Sequence, residues 1–348
     1  MGISAAFRVS AMGLALAATS LAPSLLPAAP NAPTAPTAPT AATVTTHDRN
    51  ALDYRLAARA LAPGVYVVEG AVEDFTPRNG CNIINTGFIM TDAGALVVNT
   101  GPSRLYGEQL RALVRRTTGA EPAAVVHLNL HPDYFLGNQA FADLPRHATE
   151  ATAAGIRREA AAYETNLFRL CGDWMKGTET VHPDRDLSAA VRAGEWTVGG
   201  RTFDLIEAAG HTDSDLILID RRSGVVFAGG LIFAERVPTT PHAQVDPWRD
   251  SLRRLRQRSG LEQAWVVPSH GPVHRGTQGL EQTQQFLTWI DMHFSSAAQA
   301  GWDMNELLRA PVPAPFRHWA AFSTEYVRNV AHLYPRYEKA ALQPAPRR

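Results

Sequence analysis

The run His127-Leu128-Asn129-Leu130-His131-Pro132-Asp133-Tyr134, continued by Phe135-Leu136-Gly137-Asn138-Gln139-Ala140-Phe141, decides how the rest of this chain is read. Apolar residues lead into it from Pro122 to Val126, as a buried strand does, and polar side chains gather where that strand ends. Asn129, His131, Asp133 and Tyr134 fall within six positions on the turn that leaves the strand. Histidine and aspartate, and more weakly asparagine, coordinate divalent cations. The turn is a candidate metal-binding loop.

Two later loops have the same character. His211 follows Asp204 to Gly210, and His270 follows Trp265 to Ser269; Asp133, His211 and His270 are separated by 78 and 59 positions. Loops leaving strand ends on one edge of an α/β sheet are where ligand sites are built. Gly210 and Gly271, beside the two histidines, permit close backbone approach. A single strand-end histidine is more often structural, but three such loops in order point to one site.

The intervening sequence supplies the scaffold. Val65–Gly70, Ile83–Met90 and Ala95–Thr100 are short β-branched runs divided by Gly, Asn and Asp, a strand meander. Leu105 to Thr117 has helical spacing, and further helices are expected after Gly137 and from about Ala151 to Trp174. Strands follow at 202–208, 216–220 and 224–229. A helix should start with Asp246 at the N-cap and Pro247 at its first position and run to about Arg258. Another strand at 265–268 and a helical tail, 280–297 and 318–342, complete the layout. Two β-rich halves, each closed by helices, predict an α/β fold, a four-layer αββα sandwich with a helical C-terminal extension.

Residues 1–29 place Arg8 ahead of an apolar run, Ala11 to Ala18, with small residues Ala28, Ala29 and Ala32 beyond it, the pattern of a cleaved signal peptide. Pro23 and Pro27 interrupt the run, which argues against a stable membrane anchor. Residues 30–46 are an Ala/Pro/Thr linker. The expected globular domain is 47–280, with residues 281–348 as the extension packed on it, and the expected location is periplasmic or secreted. Lys plus Arg and Asp plus Glu balance at 33 each, which leaves no footprint for nucleic acid. Cys81 and Cys171 are too few for a disulfide scaffold; one disulfide or two separate buried thiols both fit an exported chain.

Four ordered motifs carry a resemblance. Asn129-Leu130-His131-Pro132-Asp133-Tyr134 resembles the His-x-His-x-Asp-His signature of the metallo-β-lactamase superfamily, and Gly210-His211-Thr212-Asp213-Ser214-Asp215 its Gly-His-Thr loop. Phe227-Ala228-Gly229-Gly230-Leu231-Ile232-Phe233 resembles its Phe-x-Gly-Asp strand, and Pro268-Ser269-His270-Gly271-Pro272 its last His loop. Within that superfamily the exported quinoprotein relay system zinc metallohydrolases look most similar, through Pro132-Asp133 with Leu136-Gly137-Asn138, Arg236-Val237-Pro238 and Asn329-Val330.

The resemblance implies one metal site from position 129, His131 and His211, a second from Asp133, position 134 and His270, and a bridging carboxylate at position 230. This chain departs from it at Asn129, Tyr134 and Gly230, and again at Asn99, where a buttressing Asp is usual. A catalytic zinc normally keeps three protein ligands and a water. His131, Asp133, His211 and His270, with Asn129 as a weak neutral donor, therefore imply one weakly held zinc in place of two, or none. Asp133 is the expected catalytic group, orienting a water. Tyr134, Arg236 and His242 are expected near an unidentified small-molecule substrate, with an internal salt bridge as the alternative role of Arg236. His127 is a lesser candidate ligand, and His182 and His274 are expected at the surface. Two functions follow: an exported metal-dependent hydrolase with a depleted ligand set, or a catalytically degenerate binding or accessory protein beside a periplasmic quinoprotein dehydrogenase.

Overall fold

A computed structural model describes residues 52–343. The expected signal peptide and linker lie outside the described residues, as does the expected domain start at 47. Among the described residues no helix is long and apolar enough to cross a membrane.

The first sheet has seven strands in sequence order: β1 (Arg59–Ala62), β2 (Val65–Val68), β3 (Thr86–Thr91), β4 (Gly94–Val98), β5 (Pro122–Val126), β6 (Arg146–Ala148) and β7 (Arg185–Asp186). Its β1 to β4 portion is antiparallel, as the meander predicts, and β4 to β7 run parallel. The crossover from β4 to β5 is α1 (Arg104–Thr118), capped by the Ser103 hydroxyl and ended by Gly119 in the left-handed conformation. After the short α2 (Pro132–Phe135) and β6 comes the long α3 (Glu150–Cys171).

The second sheet begins after α4 (Ser188–Ala193). It consists of β8 (Glu195–Val198), β9 (Arg201–Ala208), β10 (Asp215–Asp220), β11 (Val226–Phe227), β12 (Trp265–Val267) and β13 (His274–Arg275), laid side by side in reverse order from β13 to β8. Against it lie α5 (Val245–Arg256) and α6 (Gln278–Gln299), followed by α7 (Met304–Arg309), α8 (Ala314–Arg317) and α9 (Phe322–Ala341). The expected boundary at 280/281 falls inside the first turn of α6.

Side-chain alternation explains the layering. In β10 all six residues are buried. Leu216 and Leu218 meet Val98 and Val126 between the sheets, while Ile217 and Ile219 point to an outer core with Trp248, Leu252 and Phe286. In β4, Leu96 and Val98 face the second sheet, and Ala95 and Val97 pack under Tyr106 and Leu110 of α1. Strands covered on both faces read as continuous apolar runs. The order is helix, sheet, sheet, helix: the αββα sandwich the motif order predicts.

The start of one helix differs from expectation. Helix α5 starts at Val245 with Gln244 at its N-cap, because Gln244 is held from both sides: its N–H donates to Gly210 O at 2.7 Å and its side chain to Asp213 at 2.8 Å. Cys81 and Cys171 form a disulfide that ties the loop before β3 to the end of α3.

Candidate functional site

The three loops meet at one edge of the sandwich. His131 is the N-cap of α2, and Pro132 sits in that helix's first turn, where its missing N–H costs nothing. The loop is pinned by Thr100 N–H to Tyr134 O at 2.8 Å and by Leu128 N–H to Asn99 Oδ1 at 3.1 Å. Asn99, in the left-handed conformation at φ 58°, thus performs the buttressing with a neutral amide. The His211 loop turns at Gly210, where a Cβ would strike the backbone of Trp248. The His270 loop is clamped by Asn85, whose side chain donates to Pro268 O and Gly271 O at 3.0 and 2.8 Å.

His131 and His211 lie edge to face, with ring centroids 4.5 Å apart, and His242 stands 5.5 Å from His131. Burial pushes His131 well below the usual histidine range, and His211, His242 and His270 add to the effect. His131 is therefore neutral, and its buried Nε2 has no hydrogen-bond partner. His211 is engaged at both nitrogens, Nε2 with Thr239 Oγ1 at 3.2 Å and Nδ1 with Asp215 Oδ1 at 3.4 Å.

Asn129 does not present itself as a ligand. Its amide nitrogen donates to Asp215 Oδ1 and Thr212 Oγ1, and its Oδ1 accepts the His131 N–H at 2.9 Å. Asp215 is fully buried and also takes the Thr212 N–H at 2.9 Å. A Cβ on Gly230 would run into His211 Nδ1, Asp215 Oδ1 and Asn129 Nδ2. The volume that a carboxylate at position 230 needs is already filled.

The other half forms a hydrogen-bonded chain. His270 Nε2 lies 2.9 Å from Asp133 Oδ2, His270 Nδ1 lies 2.5 Å from Ser269 Oγ, and Ser269 Oγ lies 2.6 Å from Tyr134 Oη. A carboxylate only accepts. His270 must then donate from Nε2, Ser269 donates to Nδ1, and Tyr134 donates to Ser269. Burial lowers His270 to about 4, against the pull of Asp133, and raises the Tyr134 phenol well above its ordinary value.

His131, Asp133 and His270 line a cavity of about 360 Å³, closed by Tyr163 and Leu167 of α3 and by Glu325 and Arg328 of α9. His242, half-buried, has its Nε2 3.1 Å from the Tyr163 hydroxyl. Tyr134 is turned away into the chain just described. Arg236 is fully buried, donating to Glu73 O and Val237 O and pairing with Glu325 at 3.4 Å, so it fills its salt-bridge role and does not line the cavity. His127 is buried beneath the motif with Nδ1 at 3.2 Å from Tyr134 O. His182 is exposed, whereas His274 is half-buried and accepts the Gly279 N–H. Asp215, Ser269, Thr239 and the α9 residues Glu325 and Arg328 are further members of the site. The first two stand inside the quoted motifs and carried a signal; Thr239 and the α9 residues carried none.

The donor set decides how a metal fits. Among the described residues no three His, Cys, Asp or Glu side chains are arranged to hold an ion. A two-ion centre does not fit: the bridge is excluded at Gly230, and the Asn129 amide and the Tyr134 hydroxyl are spent internally. Among the described residues, the orphaned Nε2 of His131, which lines the cavity, offers a single ion its best opening, and recruiting His211, His270 or Asp133 to it requires breaking their present hydrogen bonds.

The fold and these loops define the class. The Metallo-beta-lactamase superfamily model matches residues 79–270, and the chain belongs to that superfamily. The chain is 28% identical over 103 residues to the probable metallo-hydrolase YqjP of Bacillus subtilis; that match covers 28% of this chain and only 32%, about a third, of the relative's length. Among solved structures it is similar to a metallo-β-lactamase from Pontibacter korlensis (TM-score 0.53, 20% identity, covering 67% of this chain and 99% of that one). A metallo-β-lactamase from Hirschia baltica is similar to the same degree (TM-score 0.54, 17% identity, 67% and 97%). At these identities the likeness shows the fold.

Proposed function

We propose that this chain is an exported, hydrolase-like member of the superfamily that works with one weakly held zinc in place of two. The observation that carries this reading is the neutral, unpartnered Nε2 of buried His131, in a cavity that Asp133 and His270 also line. His131 would be the first ligand, with His211, His270 and Asp133 recruited to it. When bound, the ion supplies an activated water and polarises the scissile carbonyl or ester. Without the ion, His270 Nε2–H holds the Asp133 carboxylate at the cavity wall; with His270 recruited, that carboxylate would be released to orient the attacking water and take up its proton. Export rests on the composition of residues 1–29 and is supported by the Cys81–Cys171 pairing, a bond that persists in oxidising compartments.

The second reading is a binding or accessory protein of a periplasmic quinoprotein system. It is favoured by the Tyr134–Ser269–His270–Asp133 chain, in which each donor has its acceptor without any ion. Metal content of the mature protein, grown zinc-replete and measured by elemental analysis beside a His131→Ala/His211→Ala variant, separates the two. The hydrolase reading expects a stoichiometry of about one that vanishes in the variant while far-ultraviolet dichroism is retained. A metal-free wild type would sink it.

A further inference from the structure

A second unmet polar atom belongs to a residue that lines the cavity, and it comes from outside the region that matches the superfamily. Glu325 of α9 is 1% exposed and lines the cavity. Its Oε1 is saturated, with Arg328 Nη1 at 2.8 Å and Arg236 Nη2 at 3.4 Å, while its Oε2 is buried with no hydrogen-bond partner. Leaving a buried carboxylate oxygen unmet is costly. Around it the wall is apolar, with Phe75, Ile83, Leu167 and Leu170. The family match ends at residue 270, and the helix carrying Glu325 lies beyond it.

We infer that Glu325 is the specificity-determining anchor of this cavity, receiving a hydroxyl or ammonium group of a small amphipathic ligand whose apolar body lies against Phe75, Ile83, Leu167 and Leu170. The ligand's reacting end then faces His131, Asp133 and His270. Arg236 and Arg328 act as positioning residues: they hold Oε1 and leave Oε2 to the ligand. Burial raises the Glu325 carboxyl above its ordinary value against the opposing pull of these two arginines, as expected for a group that lacks one partner. The assignment extends the hydrolase reading by naming a substrate class, yet it needs no metal. It can therefore fail or stand independently.

Three probes of one size test it by calorimetry on the chelator-treated full mature protein: 2-phenylethylamine, 2-phenylethanol and phenylacetate. The amine should bind tightest, the alcohol next and the carboxylate, which cannot donate, weakest. Glu325→Gln, nearly isosteric, should weaken the amine by about tenfold or more, the loss of a charge-assisted hydrogen bond, and should change the alcohol less. Leu170→Trp, which fills the wall and leaves Glu325 intact, should weaken all three. Tightest binding of phenylacetate would make Arg328 the anchor and overturn the assignment. So would equal affinities in wild type and Glu325→Gln, or no binding of any probe to the wild type. Binding that follows the expected order in a protein found metal-free would retain the anchor and discard the hydrolase.

Discussion

The two halves of this site have lost metal-ligand character in different ways. On the His211 side the changes interlock. Asn129 supplies an amide donor, Asp215 is the buried acceptor that takes it, and Gly230 lacks the side chain that would collide with both. On the His270 side Asp133 and His270 are retained, and the substitution at Tyr134 is absorbed by Ser269 into a linear chain of hydrogen bonds. Departures that look independent along the sequence are therefore two local rearrangements. One closes a volume. The other leaves a carboxylate and an imidazole at the cavity wall.

Restoring the missing carboxylate is the strongest way to break this comparison. Gly230→Asp forces a side chain into atoms of three buried neighbours, at a cost of about 1–3 kcal/mol for overpacking. It also sets a second carboxylate against Asp215, adding about 3–5 kcal/mol for an uncompensated buried charge. Against the marginal stability of a typical domain, the variant should aggregate or lose most of its urea midpoint. Pairing it with Asp215→Ala should recover part of the loss, because the two side chains compete for one volume. A Gly230→Asp protein of unchanged stability that takes up two zinc ions would show that the first half is only an empty metal site.

Much of this was legible. Short β-branched and apolar runs locate the central strands of both sheets, since β4, β5 and β10 are covered on both faces, whereas the short β1, β6, β7, β8 and β13 carry no such run. The three strand-end loops gave the position of the site, because strand ends on one edge converge wherever the sheet goes. The start of α5 was misplaced by the pattern: Asp246-Pro247 is a good local cap, but the tertiary hydrogen bond from Gln244 to Gly210 sets the boundary. The features that suggested the quinoprotein-linked relatives turn out to be internal braces. Asn138 bonds Thr100 and Val181, Arg236 bonds Glu73 and Glu325, and Asn329 accepts from Thr240. Glu325 was out of reach of the sequence, because nothing local distinguishes it from other acidic residues on an amphipathic helix. Only the packing of α9 over the cavity does so.

The second half is probed by smaller changes. Ser269→Ala leaves the Tyr134 hydroxyl and His270 Nδ1 both buried and unpaired, at about 1–3 kcal/mol each, so an unfolding free energy lower by about 2–6 kcal/mol is expected from urea titration. It also frees His270 to change tautomer, which loosens its hold on Asp133. Tyr134→Phe removes one donor and leaves Ser269 still donating to His270, so the loss should be about 1 kcal/mol, the net worth of a single hydrogen bond. If the four residues form one chain, the double variant should cost less than the two single losses added, since Ser269→Ala already breaks the bond that Tyr134→Phe removes. Strict additivity would mean that the tyrosine and the serine act separately. The second half would then be a set of unrelated substitutions, unlike the interlocked repacking around Asp215.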